Sequence, residues 1–455
     1  MTLIKSISGI RGTIGGNVGD NFTPIDIVEC TAGFGMWVRK QVQKPKIVVG
    51  RDGRLSGSVV SQLAINTLLA MGIDVVDLGY STTPTVEMAV KFMAADGGII
   101  FTASHNPKQW NALKFLNKHG EFISAADGQA VLSFIENKEL LFAEVDDFGT
   151  LMFDDQSIEK HINEILKSIY VDVEAVRNAQ FKVVVDCINS TGAIALPPLF
   201  DALGVEYTLL NDNNFGHFAH NPEPLPAHLK DLSDAVVQQS ADLGISIDPD
   251  VDRLALVCEN GTMFGEEYTL VAVADYILSI HKGNTVSNLS STRALSDVTK
   301  KHGGQYIASA VGEVNVVNAM KQNNAVIGGE GNGGIIVPDL HYGRDAMIGI
   351  AIFLSLMAQK KVSVSNIKAG YPGYTIIKDK FDLTPEHDYA ALISKLKQSF
   401  KNEKTNDIDG LKIDFENGWV HFRKSNTEPI VRIYSEAKKE SEARVLINLV
   451  KNALV

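Results

Sequence analysis

The chain has 455 residues, of which 45% are hydrophobic and 21% are charged, and its formal net charge is -12. This length predicts three or four domains, because one hydrophobic core does not serve so long a chain. The acidic balance argues against a nucleic-acid partner, which requires a basic face, but allows a small anionic substrate held by local arginines and lysines.

The sequence also indicates where the protein resides. No stretch is apolar over the length of a membrane span, and the segment from Met1 to Gly12 lacks an apolar signal core. Three widely spaced cysteines, Cys30, Cys187 and Cys258, show no metal-binding pattern and predict buried thiols in a reducing compartment. We therefore expect a cytoplasmic protein with no membrane partner.

The first third of the chain alternates predicted strands and helices. We predict strands at 46–49, 74–78, 98–101 and 112–116, and helices at 56–71, 84–95 and 124–137. This order favours a substantially parallel sheet with helices on both faces. Near the start, Arg11 stands between two glycines, where a guanidinium on a bare turn suits an anion and an ordinary surface turn is an equal alternative. The acidic, weakly periodic stretch 145–155 is predicted to be a linker.

The rest of the chain repeats this layout and then changes it. Predicted strands lie at 182–186, 206–210, 243–247, 254–259, 286–289, 305–308 and 325–327, and predicted helices at 158–169, 229–239, 268–280, 294–302 and 313–321. Beyond residue 370, a helix at 386–400, strands at 411–415, 419–422 and 430–434, and a final helix from about 440 predict an α+β domain with a mostly antiparallel sheet. We expect domains at 1–150, 151–255, 256–369 and 370–455.

A serine follows the predicted strand at 98–101, in the sequence Thr102-Ala103-Ser104-His105-Asn106-Pro107. The Asn-Pro pair is a turn signal, so Ser104 is predicted on an exposed turn just past the carboxyl end of a strand, where ligands bind in open α/β sheets. A hydroxyl beside the imidazole of His105 is a candidate covalent nucleophile. For a Ser-His pair alone, a turn closed by the serine hydroxyl is the favoured alternative.

Three carboxylates recur at 248, 250 and 252 in Asp248-Pro249-Asp250-Val251-Asp252-Arg253. On an extended chain they would point the same way, and they repel one another unless a cation such as Mg²⁺ or Ca²⁺ holds them. The spacing also fits a calcium EF-hand loop, but Arg253 replaces the glycine required at the sixth position and strands flank the loop. A solvated acidic turn is the remaining alternative.

The glycine-rich stretch from Gly329 to Gly334 matches the dinucleotide-binding fingerprint letter for letter. A predicted strand follows it where a helix is required, so this match is weak. We interpret the glycines as allowing close approach of a ligand and widening its pocket, with Glu330 and Asn332 as hydrogen-bonding groups.

Arginines, hydroxyls and an amide lie together in Arg423-Lys424-Ser425-Asn426-Thr427-Glu428-Pro429, with Arg432 just beyond. So many donors on one tight turn predict a phosphate cradle. A basic hairpin without a ligand is the alternative.

These four motifs, in this order and at domain-scale intervals, closely resemble the α-D-phosphohexomutase family over essentially the whole chain. The resemblance implies three related α/β domains with mixed sheets and a C-terminal α+β domain, all lining a central cleft. It implies an intramolecular phosphotransferase that interconverts hexose 6-phosphate and hexose 1-phosphate. The implied partners are a small-molecule sugar phosphate, one Mg²⁺ and a hexose 1,6-bisphosphate intermediate and activator, and the implied assembly is a monomer or homodimer.

The resemblance also implies a role for each matching residue. Ser104 would carry the phosphoryl group, and Mg²⁺ would be held by Ser104 through its phosphate and by Asp248, Asp250 and Asp252. The other catalytic residues would be His105, Arg11, Lys114 as an acid/base and Arg253 beside the metal loop. Glu330 and Asn332 would bind sugar hydroxyls, and the phosphate that is not reacting would be gripped by Arg423, Ser425, Asn426, Thr427 and Arg432.

Two departures from the family pattern bear on the sugar. Many members have Ser and His where this chain has Asn332 and Gly334, and a family Lys appears here as Ser290, near Arg293. The glycine-rich version is similar to the archaeal-type branch, which implies glucosamine phosphate as substrate, with glucose or mannose phosphate as the alternative. A phosphatase or a sugar-phosphate sensor would be competing functions, but a catalytically dead sensor would lack the serine or the carboxylates that this chain has.

Overall fold

The computed structural model describes residues 2–6, 9–382, 388–424 and 430–454. The chain divides into two compact units: unit 1 is Met1–Thr269 with Asn332–Ile367, and unit 2 is Leu270–Gly331 with Lys368–Val455. Among the described residues, no helix has the length and apolar character needed to cross a membrane.

Unit 1 begins with a seven-stranded sheet flanked by helices. Its elements are β1 (Ile4–Ser6), β2 (Gly9–Thr13), α1 (Pro24–Arg39), β3 (Lys46–Arg51), α2 (Gly57–Ala70), β4 (Asp74–Tyr80), α3 (Thr83–Phe92), β5 (Gly97–Phe101), β6 (Trp110–Asn117), α4 (Ala125–Glu136) and β7 (Leu151–Phe153). The strand order is β1-β2-β6-β5-β3-β4-β7. Strands β5, β3, β4 and β7 run parallel, whereas β6, β2 and β1 add antiparallel pairs.

Helices cover both faces of this sheet, as predicted. Ile47 and Val49 face a core that includes side chains of α1, α2 and α4, whereas Val48 faces the smaller core under α3. Both faces of β3 are therefore buried, which explains its continuous apolar sequence. The prediction that 145–155 is a linker is wrong, because this stretch contains β7, which pairs in parallel with β4 at the edge of the sheet.

A second, four-stranded sheet follows in unit 1. Its elements are α5 (Ser157–Lys167), α6 (Val173–Ala179), β8 (Lys182–Asp186), α7 (Gly192–Leu203), β9 (Glu206–Leu210), α8 (Lys230–Gln238), β10 (Leu243–Ile247) and β11 (Leu254–Cys258). The strand order is β11-β10-β8-β9, with β11 antiparallel to β10 and the other pairs parallel. The three aspartates lie in the loop between β10 and β11, so strands flank it and the EF-hand interpretation is excluded.

The third set of elements is shared between the two units. It comprises α9 (Glu266–Ile280), β12 (Asn284–Asn288), α10 (Ala294–Lys301), β13 (Tyr306–Ser309), α11 (Glu313–Gln322), β14 (Ala325–Glu330), β15 (Gly334–Ile336), α12 (Ala346–Lys360) and α13 (Val364–Ala369). In unit 2, β12 lies between β13 and β14 and is parallel to both. In unit 1, α12 packs against α5 and α6, and all its residues from Ala346 to Ala358 are buried.

The C-terminal part of unit 2 is an α+β domain, as predicted. It comprises β16 (Thr375–Asp382), α14 (Tyr389–Ser399), β17 (Lys404–Asn406), β18 (Leu411–Phe415), β19 (Gly418–Lys424), β20 (Ile430–Ala437) and α15 (Glu440–Leu454). The strand order is β16-β20-β19-β18-β17, and every pair is antiparallel. Leu396 of α14 and Ile447 of α15 pack into its apolar core.

Candidate active site

Ser104 lies directly after β5, but its side chain is buried and not on an exposed turn as predicted. Its backbone has a φ of +48°, a left-handed conformation that non-glycine residues rarely adopt. The fully buried guanidinium of Arg54 donates hydrogen bonds to the carbonyl oxygens of Ser104, Asn106 (2.7 Å) and Pro107 (2.8 Å). Arg54 therefore holds the turn in its unusual conformation.

A buried carboxylate completes this support. Asp52 Oδ2 accepts hydrogen bonds from Arg54 Nε (2.9 Å) and from the Thr102 hydroxyl (2.7 Å), whose oxygen in turn accepts the backbone N–H of Ser104 (2.9 Å). Both Asp52 and Arg54 come from the loop after β3, the strand beside β5. Neighbouring parallel strands thus deliver both the candidate nucleophile and the groups that position it.

The Ser104 hydroxyl contacts a predicted metal ligand and a predicted catalytic residue. It donates a hydrogen bond to Asp248 Oδ2 over 2.6 Å, and it lies 3.3 Å from His105 Nδ1. The structure therefore brings the serine motif and the aspartate motif into one centre.

The aspartate loop is a turn and not the extended chain that the alternating pattern suggested. Val251 has a φ of +61°, which is strained for a β-branched residue. Asp248 Oδ1 accepts the backbone N–H groups of Asp252 and Arg253, each at 3.1 Å. The Pro249 carbonyl accepts hydrogen bonds from two hydroxyls that open α7, those of Ser190 (2.6 Å) and Thr191 (2.8 Å). The carboxylates converge because the loop turns.

The carboxylate oxygens of Asp250 and Asp252 that make no hydrogen bond within the described residues suit a divalent cation. Asp250 Oδ2 accepts hydrogen bonds from Thr83 (2.7 Å) and Lys114 (2.9 Å), and Asp252 Oδ2 accepts one from Arg344 (2.7 Å). Their other oxygens, Oδ1 in each, are buried and have no hydrogen-bond partner in the described part of the chain. One oxygen from each aspartate lies within 4.8 Å of the others, an all-oxygen set of the kind that hard cations prefer.

The pKa values in this centre follow from burial and like charge. Burial, together with the nearby carboxylates of Asp252 and Asp250, raises the pKa of Asp248 well above its usual range. Burial opposes the ionisation of Asp250, but the Lys114 ammonium and the hydrogen bonds from Thr83 and Lys114 together outweigh it and lower the pKa of Asp250. Burial and the guanidinium groups of Arg253 and Arg344 lower the pKa of His105 to about 2, so its ring is neutral at pH 7.

The other predicted catalytic residues lie near these groups. Arg11 on β2 pairs with Ala112 on β6, two residues from Lys114, so the side chains of Arg11 and Lys114 project from the same face of the sheet. Burial alone would lower the pKa of Lys114, but Asp250 and Asp252 outweigh it and raise that pKa. Arg253 Nε lies 4.0 Å from a carboxylate oxygen of Asp248 and from one of Asp252, at the end of the aspartate loop.

The two predicted sugar-binding residues have defined partners. In unit 2, the buried Glu330 accepts hydrogen bonds at Oε1 from Asn288 Nδ2 (2.9 Å) and from the backbone N–H of Gly312 (3.2 Å), which fix the orientation of its carboxylate. In unit 1, Asn332 Oδ1 accepts the backbone N–H of Gly334 over 3.2 Å and closes the turn before β15.

Two cations of the predicted phosphate cradle lie directly opposite each other. Arg423 on β19 pairs with Arg432 on β20, and Arg432 pairs on its other side with Lys380 on β16. Asp409 accepts a hydrogen bond from Arg423 Nε over 3.2 Å. Three positively charged side chains therefore lie in one row across the sheet. Ser425, Asn426 and Thr427 lie outside the described residues.

The two residues near the position of the family lysine, Ser290 and Arg293, both have polar partners. Ser290 Oγ lies 2.9 Å from His421 Nδ1, and the Arg293 side chain is engaged by Asp414 (3.4 Å) and the Gly418 carbonyl (3.0 Å). The buried cation at this loop is Lys412, whose Nζ donates to the Leu289 carbonyl over 2.8 Å.

Four family models match the chain in the order of the four predicted domains. They are the phosphoglucomutase/phosphomannomutase alpha/beta/alpha domains I, II and III, at residues 3–141, 159–261 and 265–374, and the C-terminal domain, at residues 383–451. The chain belongs to the phosphoglucomutase/phosphomannomutase family. It is a phosphohexomutase, an isomerase that moves a phosphoryl group within its substrate, and the four-domain α/β architecture is confirmed.

Relatives with this architecture carry two kinds of name. The phosphohexomutase is 35% identical to a phosphoglucomutase/phosphomannomutase of Thermococcus kodakarensis, over 97% of this chain and 96% of the relative. It is 31% identical to a phosphoglucosamine/phosphogalactosamine mutase of Sulfurisphaera tokodaii, over 97% of each chain. A solved phosphoglucomutase/phosphomannomutase family protein from Burkholderia thailandensis superposes with a TM-score of 0.86 at 26% identity, covering 99% of this chain and 96% of that one.

Two glycines of the stretch from Gly329 to Gly334 do not widen a pocket, contrary to the interpretation of the sequence. Gly333 has a φ of +83°, and a Cβ there would meet the Leu254 carbonyl oxygen at 2.2 Å. A Cβ at Gly334 would meet Arg344 Cδ at 2.3 Å. The space beside both glycines is already filled, so they permit close packing.

A buried histidine–carboxylate network lies at the start of α12. Asp345 Oδ2 lies 3.0 Å from His161 Nε2 and 3.3 Å from His341 Nε2, and Glu87 Oε2 lies 3.2 Å from His341 Nδ1. Asp345 Oδ1 also accepts the first backbone N–H groups of α12, so the network anchors this helix end. The atoms of His161, His341 and Asp345 are close enough to hold a metal, but these contacts already engage them.

Proposed function

We propose that this phosphohexomutase interconverts glucosamine 6-phosphate and glucosamine 1-phosphate through a phosphoserine at Ser104. The main support for this reaction is the 2.6 Å hydrogen bond from Ser104 to Asp248, which belongs to a cluster of carboxylates suited to a cation. The similarity to the Sulfurisphaera tokodaii enzyme supports the amino sugar. The similarity to the Thermococcus kodakarensis enzyme supports the alternative, glucose or mannose phosphate.

In the first transfer, the bond between Ser104 Oγ and phosphorus breaks and a sugar hydroxyl oxygen bonds to phosphorus. The sugar hydroxyl loses its proton, and Ser104 Oγ gains one. The resulting hexose 1,6-bisphosphate reorients, and Ser104 takes back the phosphoryl group from the other position. Positioning and charge stabilisation are the main contributions that a protein makes to such a transfer.

The chain supplies these contributions from fixed groups. Lys114 is held protonated by Asp250 and Asp252, so it fits a general acid that donates to Ser104 Oγ as the phosphoryl group leaves. Arg11 and Arg253 supply fixed positive charge for the phosphoryl oxygens. The neutral His105, 3.3 Å from Ser104 Oγ, can accept or donate a hydrogen bond near the reacting oxygen.

The metal is proposed to be one Mg²⁺, held by Asp248, Asp250, Asp252 and an oxygen of the Ser104 phosphate. When bound, it would draw negative charge away from the phosphoryl group. In both Asp250 and Asp252, one carboxylate oxygen is held by hydrogen bonds and the other is available to the cation.

The phosphate that is not reacting is proposed to bind at Arg423 and Arg432, with Ser425, Asn426 and Thr427. The opposed arginines support this assignment, because two guanidinium groups on the same face of a sheet can both donate hydrogen bonds to one phosphate. Glu330 and Asn332 are proposed to bind sugar hydroxyls, and Glu330 would also pair with the 2-ammonium of glucosamine.

The test is a comparison of initial rates on glucosamine, glucose, mannose and N-acetylglucosamine 6-phosphates, each with Mg²⁺ and its matched 1,6-bisphosphate. We expect the highest kcat/KM on glucosamine phosphate, with measurable activity on glucose or mannose phosphate. A higher value on glucose or mannose phosphate would establish the alternative. Release of inorganic phosphate in place of the 1-phosphate would contradict a mutase.

A further inference from the structure

In unit 1, the side chain of Arg344 fills the space that a side chain at position 334 would need. A Cβ built on Gly334 would lie 2.3 Å from Arg344 Cδ and 3.1 Å from its Cγ, and the shorter distance is one that real Cβ atoms do not show. Gly334 does not have a positive φ, so its backbone alone does not demand glycine. The stem of Arg344 therefore accounts for the missing side chain at this position.

The same packing directs the Arg344 guanidinium at the metal loop. Its Nη2 donates to Asp252 Oδ2 over 2.7 Å, and only 10% of the arginine side chain is exposed. Lys114 Nζ is farther from the same oxygen, at 3.8 Å, and makes its short contact with Asp250. Arg344 thus makes the closest charged contact to Asp252 in the described part of the chain.

Arg344 is itself held by its chain neighbours. The next residue, Asp345, caps α12 with hydrogen bonds from Met347 N–H (2.8 Å) and Ile348 N–H (3.3 Å). The backbone N–H of Ala346 then donates to the carbonyl of Val251, the strained residue between two of the aspartates, over 3.2 Å. Two contacts, one from the Arg344 side chain and one from the Ala346 backbone, therefore fix the metal loop to the start of α12.

We propose that Arg344 is a positioning residue for the metal ligand Asp252, and that Gly334 is a glycine because Arg344 must pass it. The inference rests on the proposed function only in assigning the three aspartates to a divalent cation. By binding Oδ2, Arg344 turns the buried Oδ1 of Asp252 toward the cation. Partners of this kind orient ligands that carry charge, and their loss weakens metal affinity.

The deciding measurement is Mg²⁺ binding by titration calorimetry on the full chain without sugar, with Mn²⁺ electron paramagnetic resonance as a second probe. We expect Arg344→Ala to weaken binding by roughly 10- to 100-fold. Arg344→Lys should retain part of the affinity, since it keeps a cation without the forked guanidinium. Arg177→Gln, which removes an exposed arginine elsewhere in unit 1, is the matched control and should bind as the wild type does.

Gly334→Ala tests the packing half of the proposal. It should weaken Mg²⁺ binding when Arg344 is present, and should add little to the loss in Arg344→Ala, because the two changes act on one contact. Additive losses would overturn the coupling. If Arg344→Ala does not fold, Arg344→Lys and Gly334→Ala decide the question.

Mg²⁺ affinity within twofold of wild type in the folded Arg344 variants would overturn the positioning role. That result with normal wild-type turnover would leave the proposed function intact. Mg²⁺ binding that depends on Arg344, in a wild-type protein that converts no hexose phosphate, would instead contradict the proposed function alone.

Discussion

The hydroxyl of Ser104 donates a hydrogen bond to Asp248 Oδ2 over 2.6 Å, although the two residues are 144 positions apart in the sequence. Each lies in a loop that follows the carboxyl end of a strand, β5 in the first sheet and β10 in the second. Two separate sheets therefore bring the proposed nucleophile and a proposed metal ligand to the same point. A phosphoryl group on Ser104 would therefore lie close to the three carboxylates of the aspartate loop.

The first prediction is that Ser104 carries a phosphoryl group in the active enzyme. Intact mass of purified protein should include a species heavier by one phosphoryl group, and peptide mapping should place it at Ser104. Ser104→Ala should lose activity by about 10³-fold or more, because it removes the atom that accepts the phosphoryl group. Ser58→Ala, on an exposed face of α2, should retain full activity. Wild-type rates in the Ser104 variant without added bisphosphate would contradict the assignment.

The second prediction concerns the aspartate loop. Because burial and neighbouring carboxylates already disfavour the charge on Asp248, Asp248→Asn should melt at the same temperature as metal-free wild type, or higher. Mg²⁺ at about 100 times its Kd should stabilise the wild type by ~2.7 kcal/mol, and the variant should lose most of that gain. Thermal melts with and without Mg²⁺ give both values, with exposed Asp234→Asn as control. A variant that keeps the full Mg²⁺-dependent rise would refute the metal assignment.

The hydrophobic pattern predicts much of the fold but misses one largely buried helix and one exposed strand. The strands β8 and β10 begin and end where the pattern places them, because each is built around a short, mainly apolar run bounded by polar residues. Helix α12 is not predicted, since residues Ala346 to Ala358 are all buried and no polar face produces a helical period. Strand β7 is missed for the opposite reason, because its three residues are exposed and carry no alternation.

Some residues of the candidate site are predictable from the sequence, and others are identified only by the fold. Ser104 and the three aspartates are predictable because each motif is contiguous and its chemistry is visible in the sequence. Arg54, Thr83 and Arg344 contact these motifs from distant positions, so only the fold identifies them. For Arg54 a signal was present, because its loop follows β3, the parallel neighbour of β5.

The third prediction is a loss of stability at high pH. Burial favours neutral His341, but the adjacent carboxylates of Asp345 and Glu87 outweigh it and raise its pKa from 6.5 to about 9. Because the folded pKa is the higher one, the stabilisation is complete below about pH 6.5 and is lost as the pH rises through about 9. At 1.36 kcal/mol for each pKa unit, the effect is on the order of 3 kcal/mol.

His341→Gln provides the measurement. The variant should be less stable near pH 6.5, because it leaves two buried carboxylates without an imidazolium, and the difference from wild type should shrink by pH 10. Melting temperatures across this range for the wild type, His341→Gln and exposed His119→Gln separate the effect from general alkaline unfolding. A difference that does not vary with pH would show that His341 is neutral in the native protein.

The last prediction is that Glu330 sets the preference for an amino sugar. Its Oε1 accepts hydrogen bonds from Asn288 and from the Gly312 backbone, and the amide oxygen of a glutamine can accept both. Glu330→Gln should therefore keep the fold and remove only the charge. Losing one charged contact costs on the order of 1.5–3 kcal/mol, so the ratio of kcat/KM on glucosamine phosphate to that on glucose phosphate should fall roughly tenfold or more.

The ratio isolates the contact at carbon 2, because both sugars share the reaction and the phosphate contacts, which cancel in the comparison. A general loss of activity would lower both kcat/KM values and leave the ratio unchanged, which would assign Glu330 to hydroxyl binding common to all hexoses. Exposed Glu403→Gln, also in unit 2, is the matched control for a lost carboxylate. If the ratio falls only in Glu330→Gln, the 2-ammonium is bound at this carboxylate, and glucosamine phosphate is the sugar for which the loop is built.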